Sequence, residues 1–92
     1  MNNRKYHEKL NGKLNIVGKN IQKRRESLKY SRQYVSDRLM NVGIDITDHS
    51  IYLIEIGSRT IIDYEIAAIA RILKTTSDEL FSDFYKYIDS II

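Results

Sequence analysis

Ninety-two residues, 42% apolar and 29% charged, suffice for one small domain with short tails and are too apolar for general disorder. With no cysteine and two histidines the chain excludes disulfides and thiolate metal sites, and no apolar run approaches the ~20 residues that span a bilayer or resembles a secretory signal; a cytoplasmic protein with no metal, cofactor or membrane contact is expected. The net charge of +3 hides an asymmetry, for residues 1–38 hold eleven Lys or Arg against three acids (+8) and residues 39–92 hold four against nine (−5); such a field suits a polyanion, although basic helices are also ordinary solvated surface.

Residues 1–14 read as a basic arm. MNNRKYHEKLNGK carries Arg4, Lys5, Lys9 and Lys13 and has no sustained apolar period, which predicts a flexible segment with at most a short helical turn. Such an arm either solubilises the chain or wraps DNA. A first helix is predicted from about Asn15 to about Leu28. It sets Val17, Ile21 and Leu28 on one face and Lys19, Lys23 and Arg24 around the polar side. Lys29 and Tyr30 turn the chain into a second helix capped by Ser31. Arg32 and Gln33 occupy its first turn, and Val35 and Leu39, spaced i, i+4, belong to the core.

The connection from Asn41 to Ile46 contains Gly43, whose freedom at positive φ suits a helix stop, and Ile44 and Ile46 are expected to turn inward. Asp45 and Asp48 are not read as a metal pair, since two carboxylates without further oxygen ligands are weak evidence. Thr47 is the predicted N-cap of a short third helix, Asp48 lies where the helix dipole favours it, and Gly57 stops it. Ile51 and Ile54 fall on one face of this helix, and His49, Tyr52, Leu53 and Ile56 project from the other. One side faces a core and the other faces a partner.

After the loop Gly57–Thr60, Asp63 is expected to cap a fourth helix, DYEIAAIARILK, with Ile62, Ile66, Ile69 and Leu73 as its core stripe and Ala70 in the seam. Ser77 is expected to cap a fifth, with Asp78 and Glu79 in its first turn and Leu80 and Phe81 sealing the domain. Residues 82–92 form a helical tail in which Phe81, Phe84, Tyr85, Ile88 and Ile92 recur every three or four residues. This stripe folds back on its own core, pairs with a second copy or binds another protein. Dimerisation through Phe84, Tyr85, Ile88 and Ile92 is favoured, because the five helices already close a core.

Ser31 with Val35 and Leu39, then Ser50-Ile51, Ile54-Glu55, Gly57 and Arg59, then Asp63-Tyr64-Glu65 with Ala67-Ala68-Ile69-Ala70 and Leu73, form an ordered series. That series resembles the phage-repressor-like (Cro/CI, Xre) helix-turn-helix family, from about Val17 to Phe81, although the connection NVGIDI is longer than the tight turn of the simplest members. The resemblance implies an all-α, five-helix lambda-repressor-like domain over residues 15–81 with an additional C-terminal helical segment. It implies DNA contacts from Arg32, Gln33, Thr47, Asp48, His49, Tyr52, Leu53 and Arg59. Within that set Arg32 would sit on the backbone at the start of the second helix, and Arg59, with Ser58 and Thr60, on the next phosphate. It also implies a structural ion pair between Arg25 and Glu55.

On the third helix His49 suits a purine edge, Tyr52 a phosphate and Leu53 a thymine methyl. The familiar bidentate readers, arginine for guanine and glutamine or asparagine for adenine, are missing from it, so the same face suits a protein partner. No glycine-rich phosphate loop, nucleophile motif or ligand cluster is spaced for catalysis, and no enzyme is expected. The expected function is sequence-specific binding of double-stranded operator DNA as a homodimeric transcriptional regulator, a repressor by type, with two third helices ~34 Å apart. The alternative is a protein-interaction module, such as an antitoxin or a regulator's partner, working through the third helix or the tail.

Overall fold

The computed structural model describes residues 4–92; the first three residues of the arm lie outside them. Among the described residues there are seven helices and no strand: α1 (Arg4–Leu10), α2 (Gly18–Ser27), α3 (Arg32–Asn41), α4 (Asp48–Glu55), α5 (Asp63–Ile72), α6 (Ser77–Leu80) and α7 (Ser82–Asp89). None is long and apolar enough to cross a membrane.

The core is assembled by one apolar face from each of α2 to α6. Val17 and Ile21 from the first segment, Val35 and Leu39 from α3, Ile51 and Ile54 from α4, Ile69 and Leu73 from α5 and Leu80 from α6 are all nearly inaccessible. Each such side chain stabilises the fold by about 1.5–3 kcal/mol through burial. That supply is needed, because helices of eight or ten residues are marginal by themselves. Packing brings α3 against α4 and α5, and α2 against α4.

Local chemistry sets the helix ends. The Ser31 hydroxyl accepts from the Tyr34 N–H at 3.0 Å and Thr47 from the Ser50 N–H at 3.1 Å, so α3 and α4 start where a side-chain oxygen replaces the missing helical acceptor. Between them the chain reverses at Gly43 (φ 83°) and sinks Ile46 into the core. Ser36 Oγ donates to the Ile46 carbonyl at 2.6 Å, fastening this longer connection to α3.

Several expected boundaries move. The first core helix starts at Gly18 rather than Asn15, because the Asn15 side chain itself accepts from the Gly18 N–H at 2.7 Å and the Val17 N–H at 3.1 Å. Asp63 is the first residue of α5 and not its cap. The Glu65 carboxylate reaches back to the Ile62 N–H at 3.1 Å, and Ile62, in extended backbone before the helix, is exposed instead of belonging to the stripe. Thr76, not Ser77, caps α6, accepting from the Glu79 N–H at 3.1 Å.

The arm is also more ordered than expected. It holds the seven-residue helix α1, and Tyr6 from that helix meets Phe84 edge-on at 5.2 Å and Tyr87 at 5.1 Å between ring centroids. Asn11 (φ 53°) and Gly12 (φ 81°) turn the chain back, and the Leu14 N–H donates to the Gly57 carbonyl at 2.8 Å, returning it to the core. Part of the tail stripe is thereby covered from within the same chain. Phe84 is half-buried under Tyr6, so it is not a free dimer contact while α1 stays in place.

Candidate nucleic-acid interface

The end of α4 is held by three contacts, of which the sequence announces only the one at Glu55. Asn15 Nδ2 donates to the carbonyls of Ile54 and Arg59, both at 2.9 Å, so one side chain caps α2 and ties it to the end of α4 and the loop beyond. At Gly18 the backbone of α2 lies directly against α4: an added Cβ would fall on the Ile54 carbonyl oxygen. The third contact is the carboxylate of Glu55, whose side chain is fully buried.

Glu55 receives two arginines. Arg25 Nε donates to Oε2 at 2.6 Å and Nη2 to Oε1 at 3.1 Å, while its remaining terminal nitrogen donates to the Tyr30 carbonyl at 2.9 Å. The hydrogen bond to Glu55 raises the Arg25 pKa, burial opposing it and the charges of Glu55 and Glu26 adding to it. Arg32 Nε donates to Glu55 Oε1 at 2.9 Å from the first turn of α3. Glu55 is shared between two guanidiniums, with the exposed Glu26 3.9 Å from Arg25, and Arg32, at 35% side-chain exposure, carries positive charge to the surface. Arg32 is thus a partner in a structural cluster as well as a surface cation. The chemistry of its position did not reveal the second role, because Glu55 is far from it in sequence.

Near Arg32 lie two sets of polar and aromatic side chains, one on α4 and one on α3. The Arg32 guanidinium carbon stands 5.1 Å from the centroid of Tyr52, inside the range of a cation–π contact. His49 lies 6.0 Å from the same ring. On α3, Tyr34 stacks at 4.5 Å on Tyr30, and Arg38 approaches its ring at 6.0 Å. His49, Tyr52 and Ile56, at i, i+3 and i+7, are exposed. Leu53 is half-buried: at i+4 from His49 it lies on the same side of the helix, ~40° round from that ring and ~100° from core residue Ile54.

The remaining candidates are dispersed along this face. Gln33 is exposed, with Nε2 donating to Asp37 at 2.8 Å. The Thr47 hydroxyl is occupied in capping and bonds Ser50 Oγ at 3.1 Å. Asp48 accepts from the His49 N–H at 2.9 Å and sets a negative charge beside the exposed ring. Arg59 does not stand free in its loop. Its two terminal nitrogens meet the Glu65 carboxylate at 3.2 and 3.3 Å, and one also donates to the Thr60 carbonyl at 2.9 Å. Burial pushes the Glu65 pKa up, but hydrogen bonds from Arg59 and the Ile62 N–H, with the Arg59 charge, outweigh it and hold the carboxyl below its ordinary value. Arg24, placed by sequence on the solvated side of its helix, instead donates to the carbonyls of Leu73 and Lys74 at 2.8 and 2.9 Å, satisfying the end of α5.

No grouping of three or more His, Cys, Asp or Glu side chains able to hold a metal ion occurs among the described residues. No family model, curated protein or solved structure matches this chain.

Proposed function

We propose that this protein is a repressor-like helix-turn-helix DNA-binding regulator, in which α3 and α4 form the two-helix unit, α4 enters the major groove and the chain works as a homodimer. The observation that carries the proposal is the pairing of Arg32 with the exposed face of α4. A cation held by Glu55 and stacked on Tyr52 stands beside His49, in a chain whose first 38 residues carry +8. Arg32 supplies a phosphate contact through its terminal nitrogens, and His49 and Tyr52 supply a modest preference among base pairs. Arg59, forked onto Glu65, adds a phosphate contact only where that ion pair opens.

A second proposal, recognition of a protein by the same face, draws support from the exposed Tyr52 and Ile56 and from Asp48, which would repel a nearby phosphate. Selection from random duplexes followed by titration at several salt concentrations separates the two. Enrichment of a two-fold symmetric site, with log K falling linearly in log salt, is the expected result. Absence of any enrichment together with a flat salt response would overturn DNA reading and leave the protein-binding proposal.

A further inference from the structure

Away from α4, a groove of about 540 Å³ runs between the ends of α3 and α5, lined by Arg38, Asn41, Val42, Ala68, Arg71 and Ile72. Val42, Ala68 and Ile72 make much of its lining apolar, and it carries two guanidiniums, neither of which has a carboxylate partner among the described residues. The three most exposed large apolar side chains among the described residues are Ile92 (88%), Val42 (66%) and Ile91 (62%). One lies in the groove; the other two follow α7 and are separated by Ser90 from Asp89, an exposed acid with no basic partner among the described residues.

We infer that the groove between α3 and α5 receives the Asp89–Ile92 segment of a second copy of this chain, with Ile91 and Ile92 on Val42 and Ile72 and Asp89 between Arg38 and Arg71. The inference deepens the proposed homodimer by naming its two surfaces, and rests on that proposal. Charge complementarity selects this occupant, since two guanidiniums beside apolar side chains meet an acid with two isoleucines two and three residues on. Pairing of α7 with α7 is less suited, because Tyr6 already covers Phe84 and Tyr87, and Tyr85 Oη is engaged with Asp78 at 3.2 Å. Reciprocal seating about a two-fold axis closes the pair, so that the assembly stops at two.

The absence of cysteine makes a direct test clean. Two single variants of the full chain, Val42→Cys and Ser90→Cys, are mixed under mild oxidation, so that any link between the two positions joins different molecules. Sedimentation equilibrium is run in parallel on the cysteine-free chain, on Arg38→Glu/Arg71→Glu, on Asp89→Arg, and on an equimolar mixture of the last two. A dominant mixed disulfide is expected. Each charge reversal is expected to weaken self-association roughly tenfold or more, and the mixture to recover it. Linking of Ser90→Cys to itself, with Val42→Cys left unlinked, would overturn the groove while leaving the dimer. A monomer at every concentration, with no link, would overturn the dimer as well.

Discussion

A missing side chain at the contact of α2 with α4, and an ion pair in the loop beyond α4, each have a measurable consequence. Gly18→Ala would drive a methyl group onto the Ile54 carbonyl at the contact of α2 with α4. Because that obstacle is backbone, it cannot swing aside, and an overpacking loss of about 1–3 kcal/mol is expected. For a chain of this size each kcal/mol lowers the thermal midpoint by roughly 4–8 °C, so calorimetry will register it. Arg59→Ala leaves the Glu65 carboxylate, whose side chain is 10% exposed, with only the Ile62 N–H for support. A loss of about 1–3 kcal/mol at neutral pH is expected in denaturant titrations. The sign of the pH dependence follows from the lowered pKa: the folded state holds this proton less tightly than the unfolded state. The contribution is therefore complete above the ordinary value of 4.5 and is lost as pH falls through the lower folded value. In Arg59→Ala this acid-side loss should shrink, since the group that depressed the pKa is gone. An unchanged acid limb would mean that Arg59 does not control Glu65.

At the scale of the elements, α1 and α7 form an aromatic clasp that can be opened by itself. A seven-residue helix is too short to persist alone, and Tyr6 on Phe84 and Tyr87 is what holds it. Tyr6→Ala should remove roughly one short helix from the circular dichroism signal while moving the denaturation midpoint little, because α1 contributes nothing to the buried cluster. An unchanged signal would show that α1 does not depend on the clasp. Burial, with the neighbouring Tyr87, raises the Tyr6 pKa above 10.0, so the protonated ring's contribution to the clasp is complete below that value and falls away as pH rises through the folded one. Such partners explain which elements could be read from sequence. Ser31, Thr47, the Val35–Leu39 pair and the Ile51–Ile54 pair are local signals, and the all-helical class follows from them. Arg32 and Arg59 look like identical exposed cations, because their acids lie on other helices or beyond a turn. Asn15 and Gly18 gave no signal, since a hydrogen bond across the core and a close backbone approach leave no periodicity. The helicity of α1 likewise depends on rings at the opposite end of the chain.

For the molecule as a whole, folding redistributes the charge that looks so polarised along the chain. Arg25 and Arg32 come from the basic stretch, yet both meet Glu55 from the acidic one. The cations available to a polyanion are therefore fewer than a count of +8 suggests. This gives the proposed DNA binding an internal control. Each phosphate neutralised contributes about −0.9 to the slope of log K against log salt on duplex DNA. Arg32→Ala should flatten that slope by about one unit, because the side chain is 35% exposed and only its Nε is bound to Glu55. Arg59→Ala, compared at a temperature where both variants remain folded, should leave the slope unchanged, because its terminal nitrogens are spent on Glu65 and Thr60. Tyr52→Leu removes the ring that orients the Arg32 guanidinium without removing its charge, so affinity should fall while the slope holds. If Arg59→Ala flattened the slope as much as Arg32→Ala, the Arg59–Glu65 fork would have to open on binding, and the loop after α4 would be a phosphate contact created by the DNA itself.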